Sequence, residues 1–458
     1  MIHLITLLIA SLTVIAGMKR LSYGCAIMIA AHTLIPHVAR VGSLSLNSFN
    51  ITVLLIISIY KVLSNKSSQR ILQKKRNLYP ALLMLILLFL GVFGTVVPFS
   101  FQVKAWAQFF LTEIAPFYVT LISIRNKEDF NLILKTIGIS YLVIGIYSLF
   151  AYAIRSNMLF LAYAQYYGMD ERMLNALTEI HTGMVEYSRG GMSFFTSGSY
   201  MNGLDWGQVS LLFMLLSVSV KVFDKKNLQY AFVFVAFFNC FFCTKRSVIL
   251  PSIITLFFFL WSQKLFSPKR ILITFLIAIP SLFILYQNPK THSLVKNIET
   301  AIFFWDDRLA ARNDVEGSSK AMRLEQTAYA VHMVADAPLQ GLGFAYPSYY
   351  SSTKGLHKHM LGFESILYMI VPSGIIGLFG WLMLFYVMYR NTLSRRMRKS
   401  RLIIFHGMYF LSIILTGLQA SLSIYMIFVA LLYHYKVFYS SSNLLNYDIK
   451  HRITTSAR

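Results

Sequence analysis

Thirteen stretches of about 16 to 25 residues carry almost nothing but apolar side chains, and each is long enough to cross the ~30 Å hydrocarbon layer of a bilayer as a helix. They fall at 2–17, 21–37, 49–64, 79–97, 105–124, 132–154, 204–221, 229–243, 248–263, 271–287, 363–388, 402–418 and 422–438. A chain in hydrocarbon must satisfy its own backbone hydrogen bonds, which helices do locally and open sheets cannot. The expectation is an all-α polytopic transmembrane helix bundle of about 12–13 spans. Composition agrees: of 458 residues 56% are hydrophobic and 13% charged, with a mean hydropathy of +0.59. Soluble domains carry about a quarter charged residues.

Charge sorts the turns between these stretches. Lys19 and Arg20; Lys66, Arg70, Lys74, Lys75 and Arg76; Arg125 and Lys127; Lys225 and Lys226; Lys264, Lys269 and Arg270; and Arg390, Arg395, Arg396, Arg398, Lys399 and Arg401 fall on one side by alternation. The positive-inside rule makes that side cytoplasmic. It holds 26 of the 42 Lys and Arg against only Glu128, Asp129, Asp224 and Asp448, while the other side holds 15 basic and 13 acidic residues. The net charge of +24 is therefore a signal of orientation and of membrane-lipid headgroups, and does not point to a nucleic-acid partner. The resulting organisation is N-terminal helices over 1–154, an external loop over 155–203, helices over 204–287, a large external loop over 288–362, helices over 363–438 and a cytoplasmic tail over 439–458. External loops of this length are as a rule functional, and both are expected to contain amphipathic helices.

Cys25, Cys240 and Cys243 all lie inside apolar runs, where small packing residues are expected and a solvent-accessible redox or zinc site is not. The run Met1 to Ala16 lacks a basic segment before it and reads as a retained first span. No repeat of 20 to 50 residues is visible. Glu113, Lys135 and Asp205 interrupt or border apolar runs, and such charges by default face a bundle interior or cavity.

The chemistry concentrates in the stretch from Arg323 to Phe344 and in the residues between it and Gly377. Leu324, Ala328, Val331 and Val334 recur at helical spacing, which predicts an amphipathic helix with these four on one apolar face, too short and too polar to span a membrane. Pro338 ends the helix, and Gly341 and Gly343 permit a turn back toward the next span. His357, His359 and Glu364 come next, then Gly374 and Gly377 within an apolar run. An imidazole neutral at external pH can take a hydroxyl proton. A carboxylate at the first turn of a span is costly unless used. His357, His359 and Glu364 together also offer donors that suit zinc. At the junction of two apolar runs, Lys245 and Arg246 want an anion. Arg323 offers a planar fork for phosphate oxygens.

The order Arg323, helix, Asp336-x-Pro338-Leu339-x-Gly341-x-Gly343, histidine, Gly374-x-x-Gly377 resembles the O-antigen polymerase and O-antigen ligase family of polytopic membrane glycosyltransferases. Arg189-x-Gly191-x-x-Phe194 in the first external loop is similar to a further family segment, and Arg246 stands where the family places an arginine, with Lys245 in place of its serine. The resemblance covers roughly residues 185–380. It implies a multi-pass protein of the cell inner membrane with its active site on the periplasmic or external face. It also implies a donor glycan on undecaprenyl diphosphate and no metal or other cofactor. Arg246, Arg323, Arg189 and Lys245 would bind the diphosphate. His359 is the first candidate for the base, Glu364 its rival by spacing to Gly374, and His357 a neighbour. A chain-length regulator and a flippase of the same pathway are the implied protein partners. Transfer to another lipid-linked repeat would make the protein a polymerase of O-antigen or capsule repeats, and transfer to lipid A-core a ligase. A lipid-linked oligosaccharide flippase is a third reading.

Single cysteines placed in 155–203 or 288–362 should react in intact cells with an impermeant maleimide, and those at 65–77 or 391–400 should not. Inverted labelling would reverse the orientation.

Overall fold

A computed structural model describes residues 1–64, 71–93, 96–168, 195–200, 202–243, 245–263, 320–354, 367–393, 399–416 and 421–440. Over these it is an all-α polytopic bundle. Its helices are α1 (Ile2–Lys19), α2 (Leu21–Leu34), α3 (Leu46–Ser64), α4 (Lys75–Leu90), α5 (Phe99–Phe109), α6 (Ala115–Ser123), α7 (Lys127–Ile154), α8 (Met158–Tyr166), α9 (Gly203–Ser219), α10 (Lys226–Phe242), α11 (Arg246–Ser262), α12 (Lys320–Val334), α13 (Tyr346–Lys354), α14 (Leu367–Thr392), α15 (Lys399–Thr416) and α16 (Leu422–Ser440). A π-turn at Phe110–Ile114 joins α5 to α6, and a two-stranded hairpin pairs Arg40–Val41 with Leu44–Ser45. Twelve of the thirteen expected spans overlap these helices; 271–287 lies outside the described residues.

Burial divides the helices into inner and outer sets. α6, nearly all of α9 and the run Leu422–Tyr433 of α16 are enclosed on every side, as helices apolar all round must be. α7 exposes a single stripe, Ile139, Val143, Ile146 and Phe150, at 56–59%. That is the lipid-facing pattern; on a soluble protein it would be an aggregation surface. Cys25, Cys240 and Cys243 are free and buried, packed as expected. Lys135 differs from expectation: it sits on the exposed side of α7, two turns from the basic end, where its long stem lets the ammonium reach the headgroups.

The two ends of the bundle are distinct. At the basic end, Arg20 pairs with Asp129 at 2.8 Å, and Asp129 also accepts from Ser22 Oγ at 2.5 Å. The opposite, distal end carries the ends of α2 and α10, the π-turn, the starts of α9, α11 and α16, and the segment joining α12 to α13.

α14 is broken at the distal end. Pro372 removes a donor and Gly374 adopts φ +64°, ψ −165°, so the helix stops and restarts within one residue. The groups this frees are satisfied by the chain following α12. Leu342 N and Gly343 N donate to Val371 O and Pro372 O at 2.9 and 3.0 Å, while Ile375 N and Ile376 N donate to Pro338 O and Leu339 O at 2.9 and 3.2 Å. Gly341, at φ +73°, fits because a Cβ there would stand 2.5 Å from Gly374 N. A Cβ on Gly374 would overlap the carbonyl oxygen of Leu339. A further tie comes from Gln102, whose side chain accepts from Phe344 N at 2.9 Å and donates to Val97 O at 2.8 Å and Gly91 O at 3.2 Å.

Of the four apolar residues of α12 picked out by spacing, Val334 faces this lock and the other three turn away from it. Gln326, Ala330 and Val334 are buried, with Tyr329 and Met333 beside them, against Val97, Leu342, Tyr346 and Val371. Leu324 and Val331 are 60% and 63% exposed, and Ala328 is exposed too. Small and aromatic residues allow close approach to the loop, whereas on an external helix of a membrane protein an outward apolar stripe can meet lipid.

Gly341→Ala and Gly374→Ala should each lower the melting temperature of the purified protein by several degrees, since the left-handed backbone alone costs an L residue about 1–2 kcal/mol. Gly407→Ala, where an added Cβ meets nothing within 4 Å, should melt as the wild type does. Equal melting of all three would refute the lock.

Candidate functional site

The turn from α10 to α11 is pressed against the first turns of α9. A Cβ on Gly203 would come within 2.9 Å of Cys243 O, and one on Gly207 within 2.5 Å of Cys243 Sγ. Cys243 Sγ donates to Cys240 O at 3.0 Å, which closes the end of α10. Lys245 is the N-cap of α11 and accepts through its carbonyl from Val248 N and Ile249 N at 3.0 and 3.1 Å; no side chain caps this helix end. Arg246 is the first helical residue. Ser247, 5% exposed, has a buried hydroxyl with no hydrogen-bond partner among the described residues. Two basic residues, a free hydroxyl and the partial positive charge of a 17-residue helix meet at one spot, an arrangement suited to a phosphate. Asp205, in the first turn of α9, is held by Asn202 Nδ2 at 2.7 Å.

A second polar group lies at the same end. Glu113, on the π-turn, accepts from Ser423 N at 2.8 Å and so caps α16 from a different span. His32 Nε2 lies 3.3 Å from Ser423 Oγ and 3.5 Å from Tyr200 OH. Gln208 donates to Thr416 Oγ1 at 2.9 Å and Ser412 Oγ at 3.1 Å, and accepts from Ser421 Oγ at 2.8 Å. Segment 195–200 closes this end: Ser199 Oγ donates to Thr33 O at 2.7 Å and Asn157 Nδ2 to Ser197 Oγ at 2.8 Å. Above α14, burial pushes the Tyr329 and Tyr346 phenols up, so both stay neutral.

Of the residues singled out from sequence, Lys245 is placed with its side chain, and Arg246 and Arg323 by their helices, at the start of α11 and in the first turn of α12. Arg189, His357, His359 and Glu364 lie outside the described residues. The segment carrying the last three joins Lys354 of α13 to Leu367 of α14, two helices that pack on one cluster at the lock. His32, Gln208, Ser421 and Ser423 were not foreseen; the one available signal was a polar residue inside an apolar run. Glu113 and Asp205 were foreseen as charges turned inward, and both lie at this end.

Residues 231–382 match the family model described as O-antigen ligase. Over these residues the chain is similar to the O-antigen ligase domain, which supports the O-antigen ligase/polymerase family. The match covers about a third of the 458 residues and includes the α10–α11 turn, α12, the Gly341–Gly374 lock and the segment with His357, His359 and Glu364. No curated protein matches the chain. Family members are glycosyltransferase-like enzymes whose substrates are lipid-linked oligosaccharides, and a multi-pass membrane protein with an O-antigen ligase/polymerase-type role is what the fold and this domain together give.

Glu113→Gln keeps an acceptor for Ser423 N and should leave stability unchanged, whereas Glu113→Ala should cost about 1 kcal/mol, as loss of an N-cap does. Thermal unfolding of the two purified variants checks this. A Gln variant that melts normally but is inactive in glycan transfer would give the side chain a role beyond capping.

Proposed function

We propose that this protein is a polysaccharide polymerase that moves a growing glycan from undecaprenyl diphosphate to a hydroxyl of another lipid-linked repeat unit. The observation that carries the proposal is the start of α11, where Lys245, Arg246, the unpartnered Ser247 hydroxyl and an uncapped helix N-terminus coincide inside the matched domain. In the reaction the acceptor oxygen attacks the anomeric carbon of the donor sugar. The bond from that carbon to the diphosphate oxygen breaks, and undecaprenyl diphosphate leaves with the electron pair. Arg246 and Arg323, with Lys245 and Arg189, stabilise the charge that develops on it. The acceptor proton passes to His359, with Glu364 as the rival base and His357 beside it. The leaving group is already a good one, so neither a nucleotide nor a metal is required of the mechanism. The active face is the external or periplasmic side of the inner membrane, opposite the basic turns. A ligase that hands the same donor glycan to lipid A-core is the second reading, and the matched family supports a ligase/polymerase-type role common to both.

Purified protein supplied with a lipid-linked repeat should build a ladder of polymer, and supplied with the donor and lipid A-core should not modify the core; the opposite pair of results makes it a ligase. In the same assay Arg246→Ala and Arg323→Ala should abolish product, and lysine replacements should restore little of it because the two-pronged grip is lost. His359→Ala should lower the rate by about a hundred- to ten-thousandfold, the worth of a positioned base, with substrate still bound and EDTA without effect. Normal polymer from His359→Ala with none from Glu364→Gln moves the base to the carboxylate. Inhibition of the wild type by EDTA replaces both with a metal.

A further inference from the structure

The basic end of the bundle gathers charge in one place more than a rule of orientation demands. Three helix ends are stitched together there. Lys436 Nζ, from α16, donates to Asn391 O at the end of α14 at 3.3 Å, and Asn391 Nδ2 donates to Arg76 O at 3.3 Å and Asn77 Oδ1 at 3.2 Å at the start of α4. Lys74 Nζ donates to Tyr433 OH of α16 at 2.9 Å. Arg76, Lys74 and Arg390 all lie near enough to Lys436 for their charges to repel its ammonium. No described carboxylate forms an ion pair with any of the four; among the described residues the ion pairs are those of Arg20 with Glu128 and Asp129, and of Lys221 with Asp224. The first turn of α4 holds no acid either; the C-terminal ends of α14 and α16 offset part of the repulsion, as the Lys436 bond to Asn391 O shows. Like charges so close raise the energy of the fold unless an anion joins them.

The anion has a defined neighbourhood. Leu78, Leu82 and Leu85 on α4 and Tyr386, Met383 and Phe379 on α14 are 47–66% exposed, and on each helix they run from the cations along the span. A phosphate seated on Arg76 and Arg390 would thus have apolar surface beside it for an acyl chain. We propose that the ends of α4, α14 and α16 form a site for the phosphate group of an anionic glycerophospholipid in the leaflet at the basic end. Arg76 and Arg390, whose side chains are exposed, attract the phosphate by charge, and Lys74 and Lys436 complete the charge balance. A free phosphate offers the same oxygens without the chains, so the two sources separate experimentally.

The full-length protein, purified in detergent and stripped of lipid, is titrated with phosphatidylglycerol, phosphatidylcholine or inorganic phosphate, with native mass spectrometry reading bound lipid and thermal unfolding reading stabilisation. Phosphatidylglycerol should bind and raise the melting temperature, and the other two should do neither. The Arg76→Gln/Arg390→Gln variant should bind it about tenfold more weakly or worse, since each basic residue near a membrane contributes about a tenfold or smaller factor. Arg76→Lys/Arg390→Lys should keep most of the binding. Lys225→Gln/Lys226→Gln, which removes the same charge from another basic turn, should bind as the wild type does. Equal binding by the Arg76→Gln/Arg390→Gln variant and the wild type overturns the site. So does equal loss in the Lys225→Gln/Lys226→Gln control, which would make the effect one of diffuse charge. Stabilisation by inorganic phosphate as large as that by phosphatidylglycerol would make it a soluble-anion site instead. If the glutamine variant does not purify, a wild type that fails to prefer phosphatidylglycerol over phosphatidylcholine is sufficient to reject the proposal.

Discussion

A helix interrupted inside a membrane protein leaves backbone donors and acceptors with no water to meet them, and the four hydrogen bonds between residues 338–343 and the two halves of α14 are how this chain meets that demand. Each buried group left unpaired would cost about 1–3 kcal/mol, so the loop has one place to sit. Everything attached to it inherits that precision. α12, with Arg323 in its first turn, packs through Ala330 and Val334 on the same cluster as Leu342 and Val371, and α13 packs there through Tyr346. Gln102 ties α5 to the lock through Phe344. The glycines of the Asp336-to-Gly343 motif are in this sense structural. They set the height and angle at which the chain returns to the membrane, and with it where the segment before α14 begins and ends.

The distal end treats its helix N-termini in two ways. α16 begins inside the bundle and is capped by Glu113 from another span, with Ser421 engaged by Gln208 and Tyr409. The Glu113 side chain already occupies the place in front of this helix start by accepting from Ser423 N, which leaves no reason for a further acceptor. α11 begins with Lys245 and Arg246, no side-chain cap and the unpartnered hydroxyl of Ser247. A helix end that carries cations in place of a carboxylate is poised for a ligand with negative charge. The contrast between two helix starts at one end of the same bundle is stronger support for a phosphate at α11 than the presence of an arginine alone.

Hydropathy carried the architecture because lipid admits so few alternatives, and twelve of thirteen stretches overlap helices among the described residues. The glycine turn was legible for a similar reason, since few residues other than glycine occupy that backbone conformation, whereas the break at Gly374 was not, because 363–388 reads as one continuous apolar span. Spacing failed for α12. A 3.6-residue period identifies a helix, but beside a membrane it does not say which apolar stripe meets protein and which meets lipid, and Leu324 and Val331 turned outward while Gln326 went in. The same ambiguity applied to Lys135, whose exposed position reflects the reach of its side chain and not a partner. His32, Gln208 and Ser423 could not be singled out, since one polar residue in an apolar run looks alike whether it bonds a carbonyl of its own turn or a side chain from another span.

On the proposed reading, membrane depth limits where groups that bind a diphosphate can stand. A basic residue at the centre of a span costs about 2.5–3.5 kcal/mol, so arginines that must hold a diphosphate belong at turns, where headgroups and water reach them. A lipid-linked diphosphate sits at that same depth, with its isoprenoid in the hydrocarbon and its sugars outside. On the proposed reading donor and acceptor both carry this constraint, and neither can rise far from the membrane to meet the other. The protein must then bring its base down to them. On that reading the return of the chain at Gly341 and Gly343 matters because it fixes α13 and the broken start of α14 on one cluster through backbone hydrogen bonds, and the candidate bases lie between those two helices in sequence.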